Sequence, residues 1–575
     1  MTTAKAESVM PQLDIRQEND SLAFKSQPHS PILFEVAWEV CNQLGGIYTV
    51  IKSKAPAMSN IWGENYFLVG PYFQQSAEIE FEECRPQGYL ANAFAELRAL
   101  DIPFHYGNWL IPGKPRVILI DFRKRYPKLD IDKYLLWKDN FISTPANDWE
   151  VNDTIAFGFL AAEAFKIIGM HLGKRRAIVH VHEWMAGVLL PRLKVEESPF
   201  ATVFTTHATL LGRYMASDDP NFYNHLSNID PEEGARRYNI QSRFWIEKAA
   251  AHSADLFTTI SEVTAKEASR FLSCNADMIL PNGLNIERFT ATHEFQNLHL
   301  KYKERIQEFV MGHFFPSYTF DLDRTIYIFT SGRYEYRNKG MDIFIESIYK
   351  LNKLLRALDN PPTVVAFIIT KAAVKNINVG ALQKHLMLED LKNNCLEIEK
   401  GIGQRILSAV SKGRLPRYEE LLSNDYQVRL KRTIHALRNN HLPAIVTHDM
   451  QYDDNDAILQ HLRHRDLFND PSDPVKVVFH PEFITATSPL FNMDYDQFIR
   501  GCHLGVFPSY YEPWGYTPPE CLACGIPAVT TDLSGFGSYV KNNLSDAESN
   551  GVFVLERSRK SNEQAIEDLA QYLLE

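Results

Sequence analysis

Ser509-Tyr510-Tyr511-Glu512-Pro513-Trp514-Gly515-Tyr516-Thr517-Pro518-Pro519-Glu520-Cys521-Leu522-Ala523-Cys524-Gly525-Ile526-Pro527-Ala528-Val529 follows a short apolar run at residues 504–507. The order is strand, turn-rich loop, small-residue helix, strand, which is the grammar of a parallel α/β sheet. Two carboxylates, Glu512 and Glu520, stand in it. On one straight helix their separation is roughly 12 Å of rise, too far to flank a single bond, and Pro513, Pro518 and Pro519 forbid that helix. The two acids therefore have separate tasks. Thr517-x-x-Glu520, with Pro518 placed to open a helix, fits a capping box. Glu512, between a strand end and a Pro-Trp-Gly turn, caps nothing. It lies where open α/β sheets bind ligands, at the carboxyl end of a strand.

Outward from this unit the same grammar recurs. A strand expected over 325–331 runs into Gly332-Arg333-Tyr334-Glu335-Tyr336-Arg337-Asn338-Lys339-Gly340 and a helix from Met341. Further strands are expected at 363–370, 444–446 and 475–479. Residues 375–440 break the rhythm with charged sequence expected to form helices at 381–399, 404–410 and 418–438, an insertion suited to oligomer contacts. In the first half, strands are expected at 32–37, 65–69, 116–121, 177–182, 201–205, 256–260 and 278–280, with an apolar helix over 151–170. The turn cluster Pro281-Asn282-Gly283-Leu284-Asn285 marks the crossover. The expected organisation is a flexible arm 1–30, an N-terminal Rossmann-like domain 31–290, and a C-terminal Rossmann-like domain 291–575 carrying the helical insertion. The class is α/β, with mostly parallel sheets and right-handed crossovers. The chain ends within an apparent helix over 562–575, which is read as a C-terminal truncation.

The chain of 575 residues has room for two cores. A net charge of −11 and no long basic stripe argue against a nucleic-acid or anionic-membrane partner. The first 30 residues lack the apolar segment of a signal peptide. The longest apolar runs read as strand-length, too short to span a bilayer. The 7 cysteines are scattered and odd in number, without a disulfide framework. A cytoplasmic location is expected.

Several side chains could carry chemistry. Gly45-Gly46, after the first strand, opens a helix and lets backbone N–H groups approach a phosphate or sugar, or simply makes a tight turn. His180 and His182 alternate along one strand and share a face, with Glu183 next. No third ligand stands at a metal-binding spacing, so no metal is expected. His207 lies just past another strand end, with Arg213 six residues on. Arg333, Arg337 and Lys339 place three cations between a strand end and a helix start, suited to a phosphate. His293, Gln296, His299 and Lys303 share one helical face, either solvated or suited to a small anion. Aspartate pairs at Asp130/Asp132, Asp321/Asp323 and Asp494/Asp496 lie outside any phosphate context. With Arg333 and Lys339 present, a diphosphate leaving group is neutralised without a metal. A nucleotide-activated substrate, with no cofactor, fits this set.

Tyr511-Glu512-Pro513-Trp514-Gly515-Tyr516-Thr517-Pro518-x-Glu520, the loop 331–340 and Glu39-Val40-x-Asn42-Gln43-x-Gly45-Gly46-Ile47-Tyr48 together closely resemble the eukaryotic (animal and fungal) glycogen synthases, from about residue 30 to the end. The resemblance implies two Rossmann-like domains in the GT-B architecture. It also implies a retaining transfer of glucose from UDP-glucose to the 4-hydroxyl at the non-reducing end of glycogen. By motif, Arg333, Lys339 and Arg213 would hold the diphosphate, Gly45 and Gly46 would approach it, and His207 would contact the donor sugar. Glu512 would be the acid at the reacting glucose, within a donor loop that includes Trp514, Gly515 and Thr517. Glu520 would lie near the ribose, Tyr495 would stack on uracil, and His182 and Glu183 would line the cleft near the acceptor. His293, Gln296, His299 and Lys303 match the family's pocket for the activator glucose-6-phosphate. The family's arginine-rich regulatory helix would follow Glu575. A homotetramer and a glycogenin partner are implied by resemblance alone. The alternatives are another sugar-nucleotide transferase or an epimerase of the same fold, or a non-catalytic glycogen-binding scaffold.

Overall fold

The computed structural model describes residues 30–145, 147–219, 221–289, 295–438 and 440–575. The chain divides into two compact units. The first comprises residues up to Tyr214 with Leu226–Asn285, and the second comprises Met215–His225 with Ile286–Glu575. A contiguous domain 31–290 does not anticipate the excursion at 215–225.

The first unit is built on nine strands: β1 (Ile32–Val36), β2 (Tyr66–Pro71), β3 (Phe81–Glu83), β4 (Phe104–Trp109), β5 (Arg116–Ile120), β6 (Ala177–His182), β7 (Ala201–Thr206), β8 (Leu256–Thr259) and β9 (Met278–Ile279). Their order is β3-β4-β5-β2-β1-β6-β7-β8-β9. Only β4 runs antiparallel to its neighbours. The central strands are buried on both faces, so they read as nearly continuous apolar runs. Glu35 in β1 is the exception, a carboxylate with no exposed surface. The chain passes from β1 to β2 on one side and reaches β6 on the other, so the strand order reverses between β1 and β6. The helix Trp149–His171 is long and apolar enough to cross a membrane by length and composition, which the sequence reading did not anticipate. It is a core helix here, with Ile155, Phe157, Phe159 and Phe165 among its buried residues.

The second unit carries β10 (Thr325–Gly332), β11 (Thr363–Thr370), β12 (Val374–Ile377), β13 (His448–Met450), β14 (Val475–His480), β15 (Leu504–Val506), β16 (Ala528–Thr531) and β17 (Val552–Leu555). The main sheet is parallel throughout, in the order β14-β11-β10-β15-β16-β17, and β12 pairs with β13 antiparallel. Here the reversal falls between β10 and β15. The helix Met341–Arg356 places Met341, Phe344, Ile348, Leu351 and Leu355 on one stripe, all buried. That stripe packs in one core with Val364, Ala366 and Ile368 of β11 and with Leu569 of the helix Asn562–Leu574. Truncating a residue such as Leu351 to alanine would destabilise this unit by about 2–5 kcal/mol. The two Rossmann-like α/β domains expected from sequence are therefore present.

Local expectations fail in places. Residues 418–438, expected as one helix, form two, Tyr418–Leu421 and Asn424–Leu437, with Ser423 capping the second. Residues 381–399 and 404–410 belong to one helix, Val379–Ser411, of 33 residues. A helical glycine costs only about 1 kcal/mol relative to alanine, and Gly401 makes room for Tyr426, whose hydroxyl would lie 2.8 Å from an added Cβ. Residues 444–446 form no strand, only an isolated bridge from Val446 to Phe479. The antiparallel edge β3–β4 was not foreseen.

Candidate active site

In the second unit, two loops leave the carboxyl ends of the neighbouring strands β10 and β15, at the point where the strand order reverses. Such a point opens a crevice. The loop after β10 turns tightly: Glu335 and Lys339 are joined by a backbone hydrogen bond of 2.8 Å, and the amide of Gly340 donates to the carbonyl of Arg337. Gly340 has φ +70°, and a Cβ there would lie 2.0 Å from the carbonyl oxygen of Pro508. Only glycine lets the two loops approach this closely. Across that contact, the carbonyl of Asn338 accepts from the amides of Tyr510 and Tyr511, at 2.9 and 3.1 Å. Stapled in this way, the loops bring the Lys339 ammonium into an ion pair with the Glu512 carboxylate. Both side chains are partly open to solvent. Arg333 is 66% exposed and pairs with Glu335 at 3.1 Å.

The loop bearing Glu512 is also sewn to the helix Gly535–Asn543, which follows β16. The carbonyl of Glu512 accepts from Gly535, and that of Trp514 accepts from Phe536. Trp514, expected to bind substrate, is buried instead, its ring packed edge-on against Phe536 at 6.0 Å. Gly515 takes φ +96° beside the Glu512 side chain. The capping box does not form. Thr517 is the first residue of the helix Thr517–Ala523, which has Tyr516 as its cap residue and no side-chain cap bond. With prolines at 518 and 519, the first turn needs little capping, because those positions have no N–H to satisfy. Glu520 lies one turn in and raises the hydroxyl pKa of nearby Tyr516 further than burial alone does. Tyr495 directs its hydroxyl inward to Ser331 at the end of β10.

The first unit gathers a different set at the ends of β1, β6 and β7. Glu39, nearly buried, accepts from the amides of Gly45 (2.7 Å) and Tyr48 (2.9 Å) at the start of the helix Gly46–Trp62. The N–H of Gly45 is thereby committed to a carboxylate of the protein itself. Gly46 is exposed at the helix start. Burial raises the Glu39 carboxyl despite these hydrogen bonds and the nearby charge of Arg213. Arg213 is exposed on the helix Leu210–Asp218. Its charge also reaches the buried acids Glu183 and Glu247.

Glu183 begins its helix in the left-handed region, φ +65°, uncommon for a non-glycine residue and typical of functional sites. That turn sends its carboxylate to the amides of His207 (2.8 Å) and Ala208 (3.1 Å). Glu183 thus holds the His207 loop and is itself buried. His182, also expected near a substrate, is 2% exposed. It bridges His207 (2.9 Å) and Glu35 (2.6 Å). Glu35 further accepts from Tyr66 at 2.6 Å and pairs with Lys54. Sequence reasoning missed Glu35, Lys54 and Glu247. Glu35 is also the third polar ligand that spacing could not supply: donor atoms of Glu35, His180 and His182 lie within 4.8 Å of one another. The Lys54 ammonium neutralises that carboxylate, and His180 bonds Thr205 at 2.7 Å. The group reads as a closed hydrogen-bond network.

Of the expected activator residues, His293 lies outside the described residues. Gln296, His299 and Lys303 share the helix Phe295–Phe314. Gln296 is exposed, and His299 bonds the carbonyl of Arg500 at 2.8 Å. The ring of His503, not singled out from sequence, stands 5.2 Å from that of His299. Burial, then the charge of Lys303, pushes His503 down to about 4.

The family model for glycogen synthase matches residues 35–575. The glycogen [starch] synthase of Neurospora crassa is 45% identical, over 95% of this chain and 78% of the relative. The human liver glycogen [starch] synthase is 44% identical, over 94% and 77%. Isoform 1 from Saccharomyces cerevisiae is 44% identical, over 95% and 80%. Among solved structures, the catalytic domain of starch synthase IV from Arabidopsis thaliana superposes with a TM-score of 0.47 at 13% identity, covering 94% of this chain and 92% of that one. The family assignment rests on the match along nearly the whole chain and on the sequence relatives: this protein belongs to the glycogen synthase family.

Proposed function

We propose that this chain transfers glucose from UDP-glucose to the non-reducing end of glycogen, forming α-1,4 links with retention at the anomeric carbon. The observation that carries this reading is the meeting of Lys339 and Glu512 where the strand order of the second unit reverses. Arg333 and Lys339 take the diphosphate, with Arg213 adding a third cation. When Lys339 turns to phosphate, the Glu512 carboxylate is released to face the positive charge that grows at the anomeric carbon. The bond from that carbon to the diphosphate oxygen breaks, and its electron pair leaves with UDP. The acceptor 4-hydroxyl attacks from the face UDP vacates, and its proton passes to a phosphate oxygen. Preorganised contacts of this kind are each worth about 3–4 kcal/mol at a transition state.

In this reading the ring of Tyr495 takes uracil, Glu520 the ribose, and the turn Gly515 to Thr517 supplies backbone donors. Gly46 approaches the donor, and His207 touches its sugar. His182 and Glu183 act by holding His207 in place. Gln296, His299 and Lys303, with His293, form the glucose-6-phosphate site. No metal or other cofactor takes part. The protein is a cytoplasmic homotetramer that works with glycogenin and engages neither nucleic acid nor membrane.

Incubation with labelled UDP-glucose, with and without glycogen and in the presence of a chelator, tests this. Label entering glycogen as α-1,4 links, with UDP released, is the expected result. Conversion of UDP-glucose without glycogen would reveal an epimerase, and glycogen binding without turnover a scaffold.

A further inference from the structure

The first unit contains a chain of hydrogen bonds whose direction is dictated from one end. Glu35 is fully buried at the centre of the sheet. Burial alone would raise its carboxyl, but the Lys54 ammonium and the hydrogen bond from His182 hold it well below the usual range. An ionised carboxylate only accepts. Nε2 of His182, 2.6 Å away, must therefore carry the proton. Burial keeps His182 and His207 neutral. A neutral imidazole with its proton on Nε2 has an acceptor at Nδ1. His182 Nδ1 stands 2.9 Å from His207 Nε2, so His207 donates there. The remaining nitrogen of His207, Nδ1, is then an acceptor.

His180, on the same strand, is ordered separately. Thr258 donates to the carbonyl of Phe204 at 3.2 Å, Thr205 donates to Thr258 at 2.6 Å, and His180 bonds Thr205. His180 is thus kept out of the first relay although its ring lies 4.2 Å from that of His182.

We propose that Glu35, supported by Lys54 and Tyr66, is a positioning residue that acts through His182 to fix His207 in the tautomer whose Nδ1 accepts a hydrogen bond from one hydroxyl of the donor sugar. This rests on the reading of His207 as a donor-sugar contact. The geometry predicts a specificity effect rather than a general loss. With the relay intact, one hydroxyl of glucose is read as a donor. With the relay cut, the imidazole is released to present either face, and that hydroxyl is read poorly.

The test compares the full chain acting on UDP-glucose with its action on the UDP-deoxyglucoses lacking the 2-, 3-, 4- or 6-hydroxyl, using kcat/KM. Wild type is expected to reject one analogue, and His207→Ala to erase that rejection. Glu35→Leu removes the acceptor and should reduce the same discrimination by about tenfold, as the loss of one oriented hydrogen bond does. Glu35→Gln should restore it: the amide oxygen stays towards Lys54 and His182, and the amide group faces the Tyr66 hydroxyl, which can accept. In the His207→Ala background, Glu35→Leu should have no further effect on discrimination. If Glu35→Leu does not fold, His182→Leu cuts the same chain one link later and should give the same loss. If Glu35→Leu and His182→Leu lower every donor equally, and still do so without His207, the relay is overturned while the donor contact stands. If His207→Ala leaves the rejected analogue rejected, the donor-contact reading fails and the relay falls with it.

Discussion

The two strand-order reversals of this chain carry opposite electrostatics. At the first, between β1 and β6, the acids and imidazoles are buried and every named group is already bonded: Glu35 to Tyr66, Lys54 and His182, and Glu183 to two backbone amides. At the second, between β10 and β15, a lysine and a glutamate that each keep a small part of their surface open to solvent pair with one another, and an arginine stands in solvent. The first arrangement is complete within the protein, a network suited to holding a surface in one state. The second is provisional. Because Lys339 and Glu512 each keep a face open to solvent, phosphate oxygens can compete with the carboxylate for the ammonium.

The largest expected effect breaks the provisional side. Glu512→Ala should reduce transfer about 10²–10³-fold in kcat while UDP still binds, read by titration calorimetry alongside the glycogen assay. Next, Arg333→Ala should weaken UDP about 10-fold to 100-fold, the range of a charge-assisted hydrogen bond, and slow turnover; unchanged UDP affinity would remove Arg333 from the diphosphate. A third test addresses the approach of the two loops. Gly340→Ala puts a Cβ against the carbonyl of Pro508 at positive φ, so the loops must part. Stability should fall by about 1–3 kcal/mol, with UDP affinity lost as Lys339 moves.

The last effect, spread over several pH units, sharpens the buried side. Burial, followed by the nearby charge of Glu183, raises the Glu247 carboxyl to about 8. A carboxyl raised on folding binds more protons in the folded state, so its stabilisation is complete below the unfolded value. It is lost as pH rises towards about 8. Wild type should therefore lose on the order of 2–4 kcal/mol from this group between pH 4.5 and 8. Glu247→Gln should flatten that slope in pH-dependent denaturation.

The contrast between the two sites also explains what was legible in the sequence. The second site is made of contiguous loops, 331–340 and 509–520, each directly after a strand, so residue type and position could be read together. The first is assembled across the sheet. His182 and Glu35 are 147 positions apart, and a glutamate inside the strand Ile-Leu-Phe-Glu-Val gives no local sign that it meets a lysine, a tyrosine and a histidine. The burial of Trp514 was not legible either: a loop tryptophan beside a glutamate looks like a ligand surface, yet Phe536 and Tyr539 of the helix Gly535–Asn543 pack against it. The strands β3 and β4 went unread because Phe-Glu-Glu and Phe-His-Tyr-Gly-Asn-Trp lack the β-branched runs that marked the parallel core. The gap expected between 399 and 404 closes because Gly401 stays helical and packs against Tyr426.

The most direct measurement is single-turnover transfer from labelled UDP-glucose to glycogen by wild type and Glu512→Gln, with UDP affinity measured on the same samples. The expected result is rapid labelling of glycogen by wild type, and loss of labelling in Glu512→Gln with UDP bound at least as tightly, since Lys339 is freed for phosphate. Near-normal labelling by Glu512→Gln would contradict the assignment of the reaction to the meeting point of Lys339 and Glu512.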